Sequence, residues 1–139
     1  MGMHSVSRLI SIVDDDPLMR EGLTSLLRSA GFATQAFASA EEFLSFAHRD
    51  NIACLILDVG LPGISGLELQ SQLTATVSND RTPVVFMTAR DDEATRQRAL
   101  KGGAVDFLRK PVRGEALLNA VHLALQQNEG KTRGRRRSN

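Results

Sequence analysis

Five apolar, β-rich segments alternate with five helix-like segments along this chain of 139 residues. Parallel neighbours in a sheet require crossover connections, usually helices, and right-handed crossovers place those helices on both faces of the sheet. The segment at 52–57 is apolar on both faces, which is typical of a central, fully covered strand. We therefore predict an α/β protein, a doubly wound (βα)5 unit with a five-stranded parallel sheet. The predicted strands cover residues 9–13, 32–37, 52–57, 83–87 and 104–108.

Local signals predict where several helices begin. Asp16 followed by Pro17 is a favoured helix start, with the aspartate as cap and the proline at the first helical position. A serine followed three residues later by a glutamate is a capping box. The sequence contains this spacing before two further helix-like segments, at 39–42 and at 65–68. A polar helix is predicted over residues 91–101.

The composition excludes several classes of protein. With 42% apolar and 24% charged residues, the chain can fill one core. No apolar run approaches the ~20 residues of a membrane-spanning helix, and the N-terminus lacks the pattern of a secretory signal. The single cysteine, Cys54, excludes an internal disulfide and a cysteine-rich zinc site. We expect a cytoplasmic protein with no membrane partner.

The basic residues are concentrated at one end. Residues 131–139 hold five basic and no acidic side chains, so residues 1–130 carry 12 basic against 16 acidic ones. Such a tail is more often a solvated end than a nucleic-acid contact. Trp and Tyr are absent, and the six Phe are scattered, so direct nucleic-acid binding is not expected. We predict one domain over 7–127 and a basic flexible tail or linker stub over 128–139.

Acidic, hydroxyl and basic residues follow the predicted strands. The first strand leads to Asp14 and Asp15, the third to Asp58, the fourth to Thr88 and the fifth to Lys110. Open parallel sheets bind ligands at this edge, near the point where strand order reverses. In a flavodoxin-like sheet of order 2-1-3-4-5 the first and third strands are adjacent. The three aspartates would then converge in one cleft.

Such a cleft suits phosphoryl chemistry. Carboxylates so close together cannot all stay ionised without a cation. Mg²⁺ binds a few carboxylates together with waters and a phosphate. Lys110 could pair with a phosphoryl oxygen, and Thr88 could donate its hydroxyl. Phosphoryl transfer needs mainly positioning and charge neutralisation, and an aspartate can itself be the nucleophile. Asp58 stands alone between a buried strand and a loop, so it is the candidate nucleophile; the Asp14–Asp15 pair suits the metal.

The sequence resembles the receiver domains of two-component response regulators, which have a CheY-like fold. The resemblance extends over about residues 7–127 and is greatest for the FixJ-type branch, through LPGISGLEL at 61–69 and FMTAR at 86–90. The matching segments, each at a strand end, are VDDDP at 13–17, LDVGLPGISG at 57–66, MTA at 87–89 and DFLRKP at 106–111.

The resemblance implies a role for each residue of the cleft. Asp58 would be the phosphoacceptor. Asp15, Asp58 and the backbone carbonyl of Gly60 would bind Mg²⁺, with Asp14 acting mainly through metal-bound water. Gly60 offers no side chain at a position that often tunes the lifetime of the phosphoryl group.

The resemblance also implies a switch. Thr88 would bind the phosphoryl group and shift on phosphorylation, with Phe107 as the coupled aromatic side chain. Phe107 lacks the hydroxyl of the tyrosine that some relatives carry. Lys110 would pair with Asp58 or with the phosphoryl group, and its bond to Pro111 would be cis.

The implied partners follow from the same resemblance. A histidine kinase would donate the phosphoryl group, and the face formed by the fourth helix, fifth strand and fifth helix (α4-β5-α5) would control a homodimer or a downstream effector. The protein would be a regulator rather than an enzyme, catalysing only its own phosphorylation and dephosphorylation. Twelve residues after Gln127 are too few for a helix-turn-helix domain. We therefore expect either a stand-alone receiver or a chain that ends where a linker to a DNA-binding output domain begins.

Two other functions are alternatives to this one. A hydrolase that forms an aspartyl phosphate would need an Asp-x-Asp motif followed by Thr or Val, where this chain has Leu18. A pseudo-receiver would serve as an interaction module without phosphoryl chemistry. The intact set of aspartate, threonine and lysine disfavours that alternative.

Overall fold

Five strands and five helices alternate along the part of the chain that the computed structural model describes, residues 9–46, 52–74, 82–90 and 92–137, with side chains described as far as residue 127. The elements are β1 (Leu9–Val13), α1 (Pro17–Ser29), β2 (Ala33–Phe37), α2 (Ala40–Leu44), β3 (Ile52–Asp58), α3 (Gly66–Thr74), β4 (Val84–Thr88), α4 (Glu93–Lys101), β5 (Asp106–Arg109) and α5 (Gly114–Arg137).

The strands form one parallel sheet of order β2-β1-β3-β4-β5, which confirms the predicted fold. β1 and β3 are neighbours, and Val13 lies opposite Leu57 in their register. The residues that follow these two therefore emerge side by side at the carboxyl edge of the sheet. β3 is the central strand, and all seven of its residues are buried.

Each face of the sheet is covered by helices. Alternate residues of a strand point to opposite faces, so every strand contributes to two core clusters. One cluster joins α1 and α5 to the sheet, through residues such as Leu27 and Leu117. The other joins α2, α3 and α4 to the opposite face, through Phe43, Leu69 and Ala99. The two layers hold the strand ends in fixed positions.

The capping serines are where the sequence predicts them. Ser65 and Glu68 form the reciprocal capping box, since each backbone N–H donates to the other's side-chain oxygen, at 2.9 and 3.2 Å. Ser39 accepts from the N–H of Glu42 at 3.1 Å. The Glu42 carboxylate, however, accepts from Ala38 rather than from Ser39. Both helices thus begin on the predicted side chains.

Some boundaries differ from those predicted. β5 spans Asp106–Arg109 instead of 104–108, because its register against β4 pairs Val85 with Asp106. α4 begins at Glu93, after Asp92 caps it; residue 91, the predicted start, lies outside the described residues. The backbone of α5 is helical to Arg137, and the domain limit at residue 127 stays a prediction. Within the described ranges, every helix is too short or too polar to span a bilayer.

Candidate functional site

Three aspartates meet at the carboxyl ends of β1 and β3. One carboxylate oxygen from each of Asp14, Asp15 and Asp58 lies within 4.8 Å of the other two. Asp14 has no solvent exposure and Asp58 is 6% exposed, whereas Asp15 is exposed. The adjacent β1 and β3 produce this arrangement, as predicted from the strand order.

Lys110 lies on the same cluster. Its Nζ donates to Oδ2 of Asp14 at 2.9 Å and lies 3.4 Å from Oδ2 of Asp58. Its backbone N–H donates to the carbonyl of Thr88 at 2.7 Å, which anchors the end of β5 beside β4. Burial alone would lower the pKa of Lys110, but the hydrogen bond to Asp14 and the charges of both aspartates outweigh it, and the pKa is raised. The ammonium therefore stays protonated between two acids.

Asp14 is held in place from several sides. Its Oδ1 accepts from the N–H of Asp16 at 2.9 Å, while its Oδ2 accepts from Lys110. Its backbone carbonyl accepts from Nη1 of Arg20 at 2.8 Å, and its N–H donates to the carbonyl of Phe37 at 3.1 Å. Both carboxylate oxygens of Asp14 thus already accept a hydrogen bond.

The surroundings of Asp58 disfavour the ionised form of its carboxyl group. Burial raises its pKa, and the charge of Asp14 adds to that effect. The hydrogen bond from the N–H of Gly60 to Oδ1, at 3.2 Å, and the charge of Lys110 oppose it only in part. A hard cation would favour the ionised form, and clustered carboxylate oxygens are the ligands that Mg²⁺ prefers. The acids present therefore fit a bound Mg²⁺ ion.

The described side-chain contacts of Thr88 and Phe107 are with a neighbouring loop and with the core. The buried Thr88 hydroxyl donates to the carbonyl of Arg90 at 3.0 Å and accepts from its N–H at 3.1 Å. Phe107 is 8% exposed, with its ring centroid 6.3 Å from that of Phe86. The threonine is thus bonded to its own loop, and the phenylalanine belongs to the core.

The loop after Asp58 is shaped by a residue that sequence reasoning did not single out. A Cβ at Gly66 would overlap the carbonyl oxygen of Asp58, so only glycine fits there. The N–H of Gly66 donates to the carbonyl of Val59 at 3.2 Å and closes the loop. The peptide bond between Lys110 and Pro111 is cis, as predicted.

Arg20 and Glu41 also contribute contacts that the sequence did not predict. Arg20 binds the Asp14 carbonyl from α1. Oε2 of Glu41 accepts from the N–H of Ile64 at 3.2 Å, across 23 residues of sequence. An arginine or a glutamate on a helix carries no local signal for such a partner.

Comparison with known proteins agrees with the geometry. Residues 10–122 match the family described as the response regulator receiver domain. Nodulation protein W of Bradyrhizobium diazoefficiens is 42% identical over 132 residues, which cover 95% of this chain and 57% of that protein. The transcriptional regulatory protein FixJ of the same organism is 38% identical over 120 residues, 86% of this chain and 58% of its own. The solved structure of the response regulator StyR superposes with a TM-score of 0.83 at 45% identity, covering 94% of this chain and 65% of that one. The chain thus spans about half the length of the curated relatives it matches.

Proposed function

Because this chain belongs to the response regulator receiver domain family of two-component systems, we propose that it accepts a phosphoryl group on Asp58 and changes its surface in response. The observation that carries the proposal is the cluster itself. Asp58 lies within 4.8 Å of two other carboxylates and 3.4 Å from the Lys110 ammonium. With a divalent cation to neutralise the acids, that combination suits a phosphoryl group.

Asp58 has the features of a phosphoryl acceptor. A carboxylate oxygen of Asp58 attacks phosphorus, the P–O bond forms, and the bond to the donor nitrogen or oxygen breaks with its electron pair leaving on the donor. The attack requires the ionised carboxylate, and the Lys110 charge and Gly60 N–H favour that form. Bound Mg²⁺ would neutralise charge on the transferred group. Asp15, Asp58 and the Gly60 carbonyl would hold the ion, with Asp14 acting through water.

The response begins with Thr88. The phosphorylated side chain carries about −1.5 to −2 charges at neutral pH, in place of the single charge of the carboxylate. The Thr88 hydroxyl then exchanges its bonds to Arg90 for a phosphoryl oxygen. Because one set of hydrogen bonds replaces another, the exchange costs little free energy, and the charge of the phosphoryl group is enough to drive it. Phe107 then turns, and the face formed by α4, β5 and α5 changes. This is a shift between two populations rather than a new fold.

The proposed partners are a histidine kinase as donor and, at the α4-β5-α5 face, a second copy of the chain or an effector. Since the curated relatives are about twice as long as the matched region, a DNA-binding output domain is a further proposed partner. The domain over 7–127, the basic flexible tail or linker stub over 128–139 and the cytoplasmic location belong to the same proposal. No observation favours a pseudo-receiver.

The decisive test is phosphorylation with a small donor. Wild-type chain incubated with acetyl phosphate and Mg²⁺ should show a retarded band on a Phos-tag gel, whereas Asp58→Asn and an EDTA-treated sample should not. Asp16→Asn is the matched control, because Asp16 is exposed and caps α1 through the N–H of Leu18 at 3.0 Å. An unlabelled wild type, or equal labelling of Asp58→Asn, would contradict the proposal.

A further inference from the structure

The loop between β3 and α3 carries the Gly60 carbonyl that the proposed metal site needs. The base of this loop is closed by the bond from the N–H of Gly66 to the carbonyl of Val59, and its start is tied by the Gly60 N–H to Asp58. Leu61 is buried in a core cluster. These contacts fix the two ends of the loop. In its middle, at 62–64, the Ile64 side chain is partly buried against the same core cluster, and the Ile64 N–H donates to a side chain of α2.

Glu41, in the first turn of α2, holds that middle. Its Oε2 accepts from the N–H of Ile64 at 3.2 Å. A Cβ at Gly63 would lie 2.6 Å from the same oxygen, and Gly63 has a φ of +72°. Glycine is the residue that adopts this backbone conformation without strain. The bare backbone of the loop and the carboxylate of α2 therefore pack directly against each other.

We propose that Glu41 is a positioning residue for the metal site: it holds the β3–α3 loop so that the Gly60 carbonyl stands ready for Mg²⁺. The inference rests on the proposed function, because it assigns a purpose to that loop. Glu41 lies on the solvent-exposed side of α2, so its bond to Ile64 orders the loop more than it stabilises the core. If the loop is disordered before Mg²⁺ binds, binding must also order it, and the entropy lost in ordering the loop lowers the affinity of the site for the ion.

Glu42 provides a control within the same helix. It is the next residue, carries the same charge and is also exposed. Its carboxylate binds the N–H of Ala38, before α2, and not the loop. A variant at Glu42 therefore reports damage to α2 and the loss of one negative charge, without touching the contact to Ile64.

The test is a titration of the full chain with MgCl₂, followed by backbone amide chemical shifts, with hydrogen exchange of the Ile64 amide measured without metal. Glu41→Ala should weaken Mg²⁺ binding about three- to tenfold, the net value of one ordinary hydrogen bond, and speed exchange at Ile64. Glu41→Gln keeps a carbonyl oxygen as acceptor and should stay within about twofold of wild type. Glu42→Ala should leave both measurements unchanged.

The outcomes separate the two proposals. If wild type binds Mg²⁺ and Glu41→Ala binds it equally well, the positioning role is refuted and the proposed function stands. If Glu41→Gln or Glu42→Ala weakens binding as much as Glu41→Ala, charge or helix damage explains the effect and the positioning role is refuted. If wild type does not bind Mg²⁺, the metal site of the proposed function fails, and the role of Glu41 with it.

Discussion

Neutralising Asp58 should stabilise the metal-free chain, although it removes the proposed phosphoacceptor. At an effective dielectric of about 20, each carboxylate within 4.8 Å of Asp58 repels it by roughly 3.5 kcal/mol, while Lys110 at 3.4 Å attracts it by about 5 kcal/mol. Two repulsions exceed one attraction by about 2 kcal/mol. Solvent around the exposed Asp15 weakens its repulsion of Asp58. Burial of Asp58 disfavours its ionised form and so acts in the same direction as the repulsion. We expect Asp58→Asn to gain about 1–2 kcal/mol.

The assay is thermal unfolding in EDTA. For a chain of this size, a gain of 1–2 kcal/mol corresponds to a Tm higher by about 3–8 °C. The pH dependence has a definite sign. Because the pKa of Asp58 is raised on folding, the folded state binds the extra proton, and wild-type stability falls as pH rises from about 3.9 through the raised value. That loss should be absent in Asp58→Asn.

Added Mg²⁺ should reverse the difference. An ion that binds only the folded wild type stabilises it by about 2.7 kcal/mol at 100 times its Kd, and Asp58→Asn lacks one of the ligands. Asp16→Asn, which removes the same charge outside the cluster, should shift the Tm little in either buffer. If Asp58→Asn melts at or below the wild-type temperature in EDTA, the charge balance worked out for the cluster is wrong.

Three further predictions concern the core and the loop. The buried Ser11 hydroxyl has no hydrogen-bond partner among the described residues, so Ser11→Ala should raise the free energy of unfolding in urea by about 1 kcal/mol; a loss would contradict this. Gly66→Ala should lower it by about 3 kcal/mol because the methyl group would meet the Asp58 carbonyl, whereas Gly60→Ala, which has open space, should change it by less than about 1 kcal/mol. Burial raises the pKa of the Cys54 thiol to about 12, so thiol reagents at pH 8 should label it only in urea, and fast labelling of the native chain would refute its inertness.

The acidic cleft could be predicted because its signals are local. Asp14, Asp15 and Asp58 each follow an apolar strand directly, and the strand ends of a parallel sheet share one edge. Only the strand order had to be assumed, and the flavodoxin-like order is what the structure shows. Lys110 was predicted for the same reason, since the residue after β5 emerges at that edge too.

Contacts between distant segments could not be predicted. The bond from Ile64 to Glu41 joins residues 23 apart in the chain and depends on how α2 packs beside the loop. The Thr88 hydroxyl illustrates a second limit, because its bonds to Arg90 depend on one side-chain torsion. Strand patterns specify which face a residue occupies, but they do not specify a rotamer.

The cleft holds buried carboxylates that repel one another, which costs stability. This unfavourable arrangement is the strongest physical reason to regard the cleft as functional. A buried aspartate is stable when a cation or several donors satisfy it, yet Asp14 and Asp58 share one ammonium, that of Lys110. A chain selected for stability alone could place an asparagine at Asp58, on the last position of a strand whose seven residues are all buried. Conflicts of this kind are expected at functional sites, where the surrounding structure supports them. Under the proposed function a divalent cation would supply the positive charge that the two aspartates lack, so the same repulsion that weakens the metal-free chain would increase its affinity for that ion.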